Sequence, residues 1–132
     1  MAALIALAKA ILARHPIPPN RVLGHSYVAP LRKRDPGELF DWQALAAAGI
    51  GLWPEIAGPA RNPGAPLPDL AVIQAGLARY GYGVPRHGGL DDETRAVITA
   101  FQRHFRPAKV SGEPDAETVA RLNALLAEVR PA

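Results

Sequence analysis

The sequence predicts an α+β chain in two parts. The first part is a helix, a short strand, a loop and a short helix, and the second is a small all-α bundle of three helices. Three observations support this prediction. Apolar residues recur at helical spacing near the start, Arg21-Val22-Leu23-Gly24 is a candidate for a short buried strand, and two later segments share the helix-opening pattern Asp-x-Glu-Thr-x-Ala.

The first part is predicted to begin with a helix and to end with a shorter one. Five apolar residues lie on one helical face, and Pro16 follows them: Leu4, Ile5, Ala8, Ile11 and Leu12. After the predicted strand comes an irregular segment, residues 24–37, with two prolines and two glycines. Asp41 is a suitable cap for a helix over residues 42–48, and Gly49 suits its C-terminal end.

A proline-rich segment divides the two predicted parts. Residues 54–68 contain five prolines and no periodic pattern, which predicts a linker between a domain at 1–53 and a domain at 69–132. The second domain is predicted to hold helices at residues 70–80, from 91 to before Pro107, and from 115 onward. Asp91 and Asp115 are the predicted caps of the last two helices, and each is followed by an acidic first turn.

The composition excludes several functional classes. The 132 residues carry a net charge of +3, and the positive side chains are scattered, so we predict no nucleic-acid binding. The chain has no cysteine, which excludes disulfides and cysteine-based zinc sites. No apolar run approaches the ~20 residues that cross a bilayer, and we find no signal-peptide pattern near Met1. We expect a monomer.

The irregular segment, residues 24–37, brings together side chains with chemical potential. His25 and Asp35 are natural zinc ligands, and Lys33 places a positive charge near them. Segments within and around this stretch resemble the C-terminal part of the zinc-dependent N-acetylmuramoyl-L-alanine amidases of the amidase-2 (AmpD/AmiD) family. The matching residues are Val22-Leu23-Gly24-His25-Ser26, Ala29-Pro30, Arg32-Lys33, Asp35-Pro36-Gly37, Phe40-x-Trp42 and Gly49-Ile50-Gly51-x-Trp53-Pro54.

Residues 69–129 resemble the three-helix peptidoglycan-binding domain that follows such amidases. The most specific strings are Ala100-Phe101-Gln102-x-His104-Phe105-Arg106-Pro107 and Pro114-Asp115-Ala116-Glu117-Thr118. The resemblance implies hydrolysis of the amide between N-acetylmuramic acid and L-alanine, with peptidoglycan or muropeptides as partners. It also implies the cell envelope or periplasm as location, while the lack of a signal peptide leaves the cytoplasm open.

The resemblance assigns a role to each residue of the irregular segment. In the family, two histidines and one aspartate hold zinc, and a water takes the fourth position. By position, His25 resembles the second histidine, Asp35 the aspartate, and Lys33 the lysine that stabilises the oxyanion. The family's first zinc histidine and its catalytic glutamate lie upstream of this type of sequence, so we expect weak zinc binding and negligible hydrolysis from this chain.

One residue of the segment departs from the family pattern, and three accounts of the chain stay open. The family usually carries aspartate where Tyr27 stands, so we expect the loss of a carboxylate that anchors the loop. The chain is a zinc amidase by family, a non-catalytic peptidoglycan-binding protein, or a mis-started or decayed fragment of the amidase.

Four other side chains are candidates for contacting the substrate, and each also has a purely structural interpretation. Tyr80 and Tyr82 are candidates for stacking on sugar rings, or they pack within the fold. Arg103 and Arg106 are candidates for contacting stem-peptide carboxylates, or they lie on a solvated helix face. None of the remaining histidines is predicted to be a third zinc ligand, and His104 is interpreted as structural or surface: His15, His87 and His104.

Overall fold

The computed structural model describes residues 1–54 and 66–129. These residues form six α-helices and one short 3-10 turn. The helices are α1 (Ala2–Arg14), α2 (His25–Val28), α3 (Trp42–Ala47), α4 (Leu70–Tyr80), α5 (Asp92–Phe105) and α6 (Ala116–Glu128), and the 3-10 turn is Pro19–Arg21. None of the helices in these two ranges is long and apolar enough to cross a membrane.

The predicted strand at residues 21–24 is wrong, and so is the α+β class, because residues 1–54 and 66–129 contain no strand. Pro19 opens the 3-10 turn, where the fixed φ of proline is well suited. The Val22 amide then donates to Pro19 O at 3.4 Å, so this donor is used locally and not in a sheet. Val22 is half-buried by packing against the cluster around Trp42, which explains its apolar character without any strand.

The capped helices lie where the sequence predicts them. The Asp41 carboxylate accepts from the Ala44 amide at 2.9 Å at the start of α3. Helix α4 covers residues 70–80, and Gly81 ends it with a φ of 132°. The predicted linker at 54–68 falls largely on residues 55–65, which lie outside the described residues.

A buried glutamine fastens the loop that leads into α5. Gln74 on α4 is 0% exposed. Its Nε2 donates to Gly89 O at 3.1 Å and to Thr94 Oγ1 at 3.0 Å, while its Oε1 accepts from the Gly88 amide at 2.8 Å. One side chain therefore satisfies three polar groups of the next loop and helix start, which fixes where α5 begins.

Gln102 on α5 repeats this arrangement for α6. It is also 0% exposed, and its Nε2 donates to Glu113 O and Thr118 Oγ1, both at 3.0 Å. Its Oε1 accepts from the amides of Ser111 at 2.8 Å and Gly112 at 2.9 Å. The short sequence repeat is thus the visible part of a larger structural repeat, in which a glutamine of each helix holds the loop that follows.

Two hydrophobic clusters share a boundary that is built from aromatic rings. The main cluster lies between α4, α5 and α6 and includes Tyr27 from α2. The smaller cluster is centred on Trp42, Leu45 and Ile50, and α1 packs on it with its half-buried face. The His104 ring lies 3.9 Å from the Trp42 ring and 3.8 Å from the Phe105 ring, measured between centroids, and joins the clusters.

The start of α6 is tied to a buried cation. Arg106 is 2% exposed, its Nε donates to Lys109 O at 2.9 Å, and its Nη1 donates to both oxygens of Asp115. The same Asp115 carboxylate caps α6 by accepting from the Thr118 amide at 2.9 Å. Asp115 therefore serves as both a helix cap and the counter-ion of a guanidinium that water hardly reaches.

We predict that Asp115→Ala destabilises the chain by about 3 kcal/mol, because it removes the hydrogen-bonded counter-ion of the buried Arg106 and leaves only the more distant Glu117 carboxylate, 3.8 Å away. Asp91→Ala is the matched control, since Asp91 caps α5 through the Thr94 amide in the same way but has no buried cation to neutralise. We expect Asp91→Ala to cost clearly less. Urea unfolding followed by circular dichroism measures both, and equal losses would contradict the assignment.

Candidate functional site

Two backbone contacts bring the ends of the 24–37 segment together. The Ser26 amide donates to Asp35 O at 3.1 Å. Gly24 lies against the Pro36 ring so closely that a Cβ at this position would overlap Pro36 Cδ. The peptide bond between Asp35 and Pro36 is cis. His25, next to Gly24, and Asp35, next to Pro36, are therefore held on neighbouring backbone positions.

The side chains of His25 and Asp35 meet at the surface. His25 Nδ1 donates to Asp35 Oδ2 at 2.6 Å, and the two side chains are 71% and 60% exposed. This hydrogen bond, with a smaller contribution from the positive charge of Lys33, holds the pKa of the Asp35 carboxyl below its usual value of 3.8. Asp35 is therefore ionised at neutral pH, as a metal ligand must be.

The pair fits two positions of a zinc shell. Two ligands bonded to tetrahedral zinc at about 2.0–2.1 Å lie about 3.3 Å apart, so the pair needs to open by about 0.7 Å from its present contact. No group of three or more His, Cys, Asp or Glu residues that is able to hold a metal occurs within residues 1–54 and 66–129. The described residues thus offer two candidate ligands at this place.

Lys33 lies on the same loop, two residues before Asp35. Its amide donates to Ala29 O at 2.8 Å, and its side chain is exposed. Together with neighbouring arginines it lines a groove of about 230 Å³. The structure therefore places all three predicted residues of the loop, His25, Lys33 and Asp35, within one short surface segment.

The other histidines lie elsewhere. His15 ends α1 at the surface. His87 forms a second pair, with its Nε2 2.7 Å from Asp91 Oδ2, while its Nδ1 accepts from the Gly89 amide at 2.9 Å. His104 is buried, which agrees with its interpretation as a structural residue and not with a surface position. Burial lowers its pKa well below 6.5.

Tyr80 and Tyr82 do not form a surface for sugars. Each is 3% exposed and packs in the main cluster, which is the structural alternative considered for them. Burial raises the pKa of Tyr80 to about 12 and that of Tyr82 well above 10.0. Neither ring has a free face on which a pyranose is able to stack.

The two arginines of the bundle differ in their accessibility. Arg106 is turned inward toward Asp115, so it is not available to a stem peptide. The Arg103 side chain is 18% exposed, and its Nε lies 3.5 Å from Glu38 Oε2. Of the four substrate-contact candidates, Arg103 alone reaches the surface groove near Lys33.

Tyr27 has a structural role that was not predicted from the sequence. It is 6% exposed, stacks on the Tyr82 ring at 4.2 Å, and meets the His104 ring edge-on at 5.3 Å. An aromatic residue replaces the expected carboxylate and anchors the loop by burial. In the structure, all three tyrosines of the chain meet in one cluster. The signal available in the sequence was that one of them lies in the 24–37 segment and the other two in the second predicted domain.

We predict that Asp35 titrates below 3.8 and that His25→Ala raises its pKa toward that value, because the main stabilising hydrogen bond is lost. Since the pKa is depressed in the folded state, the stabilisation is complete above about pH 4 and disappears as the pH falls through the folded-state value. Carboxyl ¹³C NMR measures the titration. His87→Ala is the control, and an Asp35 pKa that is unchanged by His25→Ala would refute the pairing.

Comparisons with known proteins agree with the resemblance. Residues 67–122 match the putative peptidoglycan binding domain family. The N-acetylmuramoyl-L-alanine amidase AmiD of Escherichia coli K12 is 49% identical over 131 residues, which cover 94% of this chain and 46% of AmiD.

Two solved structures match with high similarity. AmiD from E. coli, in complex with the substrate anhydro-N-acetylmuramic acid-L-Ala-D-γ-Glu-L-Lys, gives a TM-score of 0.85 over 97% of this chain and 51% of its own. AMPDH3 from Pseudomonas aeruginosa, in complex with anhydromuramic pentapeptide, is 40% identical with a TM-score of 0.87, over 99% and 52% of the two chains. The chain thus spans about half the length of these relatives. Over that half, it is similar in sequence and fold to the AmpD/AmiD type of N-acetylmuramoyl-L-alanine amidase.

Proposed function

We propose that this chain acts in zinc-dependent hydrolysis of the amide between N-acetylmuramic acid and L-alanine of peptidoglycan. The observation that carries the proposal is the contact of His25 and Asp35 within a chain that is 49% identical to AmiD over 94% of its length. AmiD has been captured with a muropeptide substrate that contains this amide. The exposed pair and the nearby Lys33 provide chemistry suited to such a substrate.

The three loop residues have separate roles in this proposal. His25 and Asp35 hold zinc, with Asp35 ionised at neutral pH. Bound zinc lowers the pKa of a water and polarises a carbonyl. The Lys33 ammonium, on the same loop, stabilises the negative charge that develops on the carbonyl oxygen. The described residues provide no third protein ligand at this place.

We further propose that residues 69–132 bind peptidoglycan and that residues 1–53 form part of the amidase domain. The match of residues 67–122 to a putative peptidoglycan binding domain supports the first assignment. The proposed partners are peptidoglycan or muropeptides, and the proposed place of action is the cell envelope.

A non-catalytic peptidoglycan-binding protein is the second candidate. It is favoured by the presence of only two zinc ligands at one place among the described residues, because two ligands do not impose the closed tetrahedral geometry of a firm site. The two candidates share the wall-binding domain and differ at the metal, so zinc binding separates them.

We predict that the 132-residue chain binds zinc with a Kd weaker than about 1 µM, since two protein ligands hold it. His25→Ala is expected to weaken this binding about tenfold or more, and Asp35→Asn similarly. Isothermal titration calorimetry measures the affinities.

His87→Ala is the matched control, because His87 and Asp91 form an exposed pair with nearly the same separation outside the proposed site. Zinc binding that depends equally on His87 would refute the proposed ligands. A Kd well below 1 µM for the unaltered chain would show a third ligand and would count against the non-catalytic candidate.

We predict that the full chain co-sediments with insoluble peptidoglycan in the presence of EDTA, because the proposed wall binding uses the three-helix unit and not the metal. Cellulose of equal mass is the control for retention by any polysaccharide. Gel analysis of pellet and supernatant measures the bound fraction. A chain that stays in the supernatant with peptidoglycan would refute wall binding.

A further inference from the structure

A basic groove joins the candidate site to the bundle. It has a volume of about 230 Å³ and lies between the loop at residues 30–34 and helix α5. The loop contributes three consecutive cations, and α5 contributes a fourth cation beside two small side chains. These lining residues are Arg32, Lys33, Arg34, Ala96, Thr99 and Arg103.

The groove has more positive than negative charge. Two acids lie near it: Glu38, whose carboxylate is 3.5 Å from Arg103 Nε, and Asp35, whose pKa is lowered in part by the charge of Lys33. Within residues 1–54 and 66–129, no ion pair shorter than 4.0 Å joins Arg32, Lys33 or Arg34 to a carboxylate. Four cations around so small a volume repel one another, and an anion in the groove relieves that repulsion.

Arg103 is the best-positioned of the four cations. Its side chain is 18% exposed and arises from α5, where Phe101 and Phe105 on either side are 0% exposed in the core. A largely packed side chain on a rigid helix loses little conformational freedom when a ligand binds. Its planar guanidinium is suited to a carboxylate, which it contacts with two parallel N–H groups.

We propose that this groove binds the free carboxylates of the peptidoglycan stem peptide, with Arg103 as a recognition residue. The inference rests on the proposed function. The peptide held by AmiD, L-Ala-D-γ-Glu-L-Lys, is linked through the γ-carboxyl of glutamate. That linkage leaves the glutamate α-carboxylate free, and the terminal lysine carries another carboxylate.

The position of the groove links recognition to the reaction. Lys33 lines the groove and also lies two residues from Asp35 in the candidate site. A stem peptide bound by its carboxylates in the groove therefore lies next to the residues proposed to act on its N-terminal amide. The three-helix unit, through Arg103, then selects the peptide as well as binding the wall.

The test uses the full, zinc-free chain and the tripeptide L-Ala-D-γ-Glu-L-Lys, with binding followed by NMR chemical shifts. Saturable shifts are expected at the amides of Arg34, Ala96 and Thr99. Arg103→Gln is expected to weaken binding about tenfold, as the loss of a charge-assisted hydrogen bond implies. A tripeptide whose glutamate α-carboxyl is an amide is expected to bind similarly weakly to the unaltered chain.

Arg95→Gln is the matched control. Arg95 is exposed on the same helix, pairs with Glu113 at 3.6 Å, and lies outside the groove, so its loss is expected to change the affinity less than twofold. An unchanged amide spectrum away from the groove verifies that each variant is folded.

Equal effects of Arg103→Gln and Arg95→Gln, equal affinity for the amidated peptide, or no saturable shift would each overturn the inference. These results do not depend on zinc or on the insoluble wall. Co-sedimentation with failed tripeptide recognition would refute only the groove. Tripeptide recognition without co-sedimentation would refute wall binding and leave the groove intact.

Discussion

The burial of Tyr27 is the interaction on which the position of the candidate site depends. Helix α2 has only four residues, too few to be stable alone, and His25 begins it. Tyr27, two residues later, is held among the rings of Tyr80, Tyr82 and Phe105. Burying an aromatic side chain contributes about 4 kcal/mol, which exceeds the cost of about 1–3 kcal/mol for a phenol oxygen without a hydrogen-bond partner in the described residues. The position of the 24–37 segment therefore depends on the bundle.

His104 gives this junction a second contact. Its ring lies between those of Trp42 and Phe105, and neither ring nitrogen has a partner among the described residues. Burial lowers its pKa well below 6.5, so the imidazole is neutral and packs as an aromatic plate. Because Trp42 belongs to the smaller cluster, this stack connects that cluster to the main core. The loop with His25 and Asp35 thus has a firm support on the side of the bundle.

Local signals in the sequence predicted the helices well. Features that depend on residues far apart in the sequence were not predicted. Asp41, Asp91 and Asp115 cap their helices because a cap needs only the next three residues. The predicted strand at 21–24 was wrong because Val22 is half-buried by side-chain packing, which gives the same apolar signal as pairing in a sheet. The Arg106 side chain points inward because it contacts Asp115, and the Tyr82 side chain points inward because it stacks on Tyr27. Hydrophobic periodicity does not reveal such contacts. For His25 and Asp35, the family resemblance supplied the expected proximity across the loop.

The two histidine–aspartate pairs show why similar contacts need not have similar functions. His87 and Asp91 are engaged beyond their own bond, because Gly89 donates to His87 and Thr94 donates to Asp91. The Asp91 carboxylate is held in place by the cap of α5, which its Oδ1 makes while its Oδ2 faces His87, so it is less free to move apart from the imidazole and admit a metal. His25 and Asp35 have no other side-chain hydrogen bond among the described residues, and both are largely exposed. Separating them costs one solvent-exposed contact, while the backbone bond from Ser26 to Asp35 keeps them close. A pair of side chains that is to bind a metal needs such a fixed backbone, together with side chains that are held by few other hydrogen bonds.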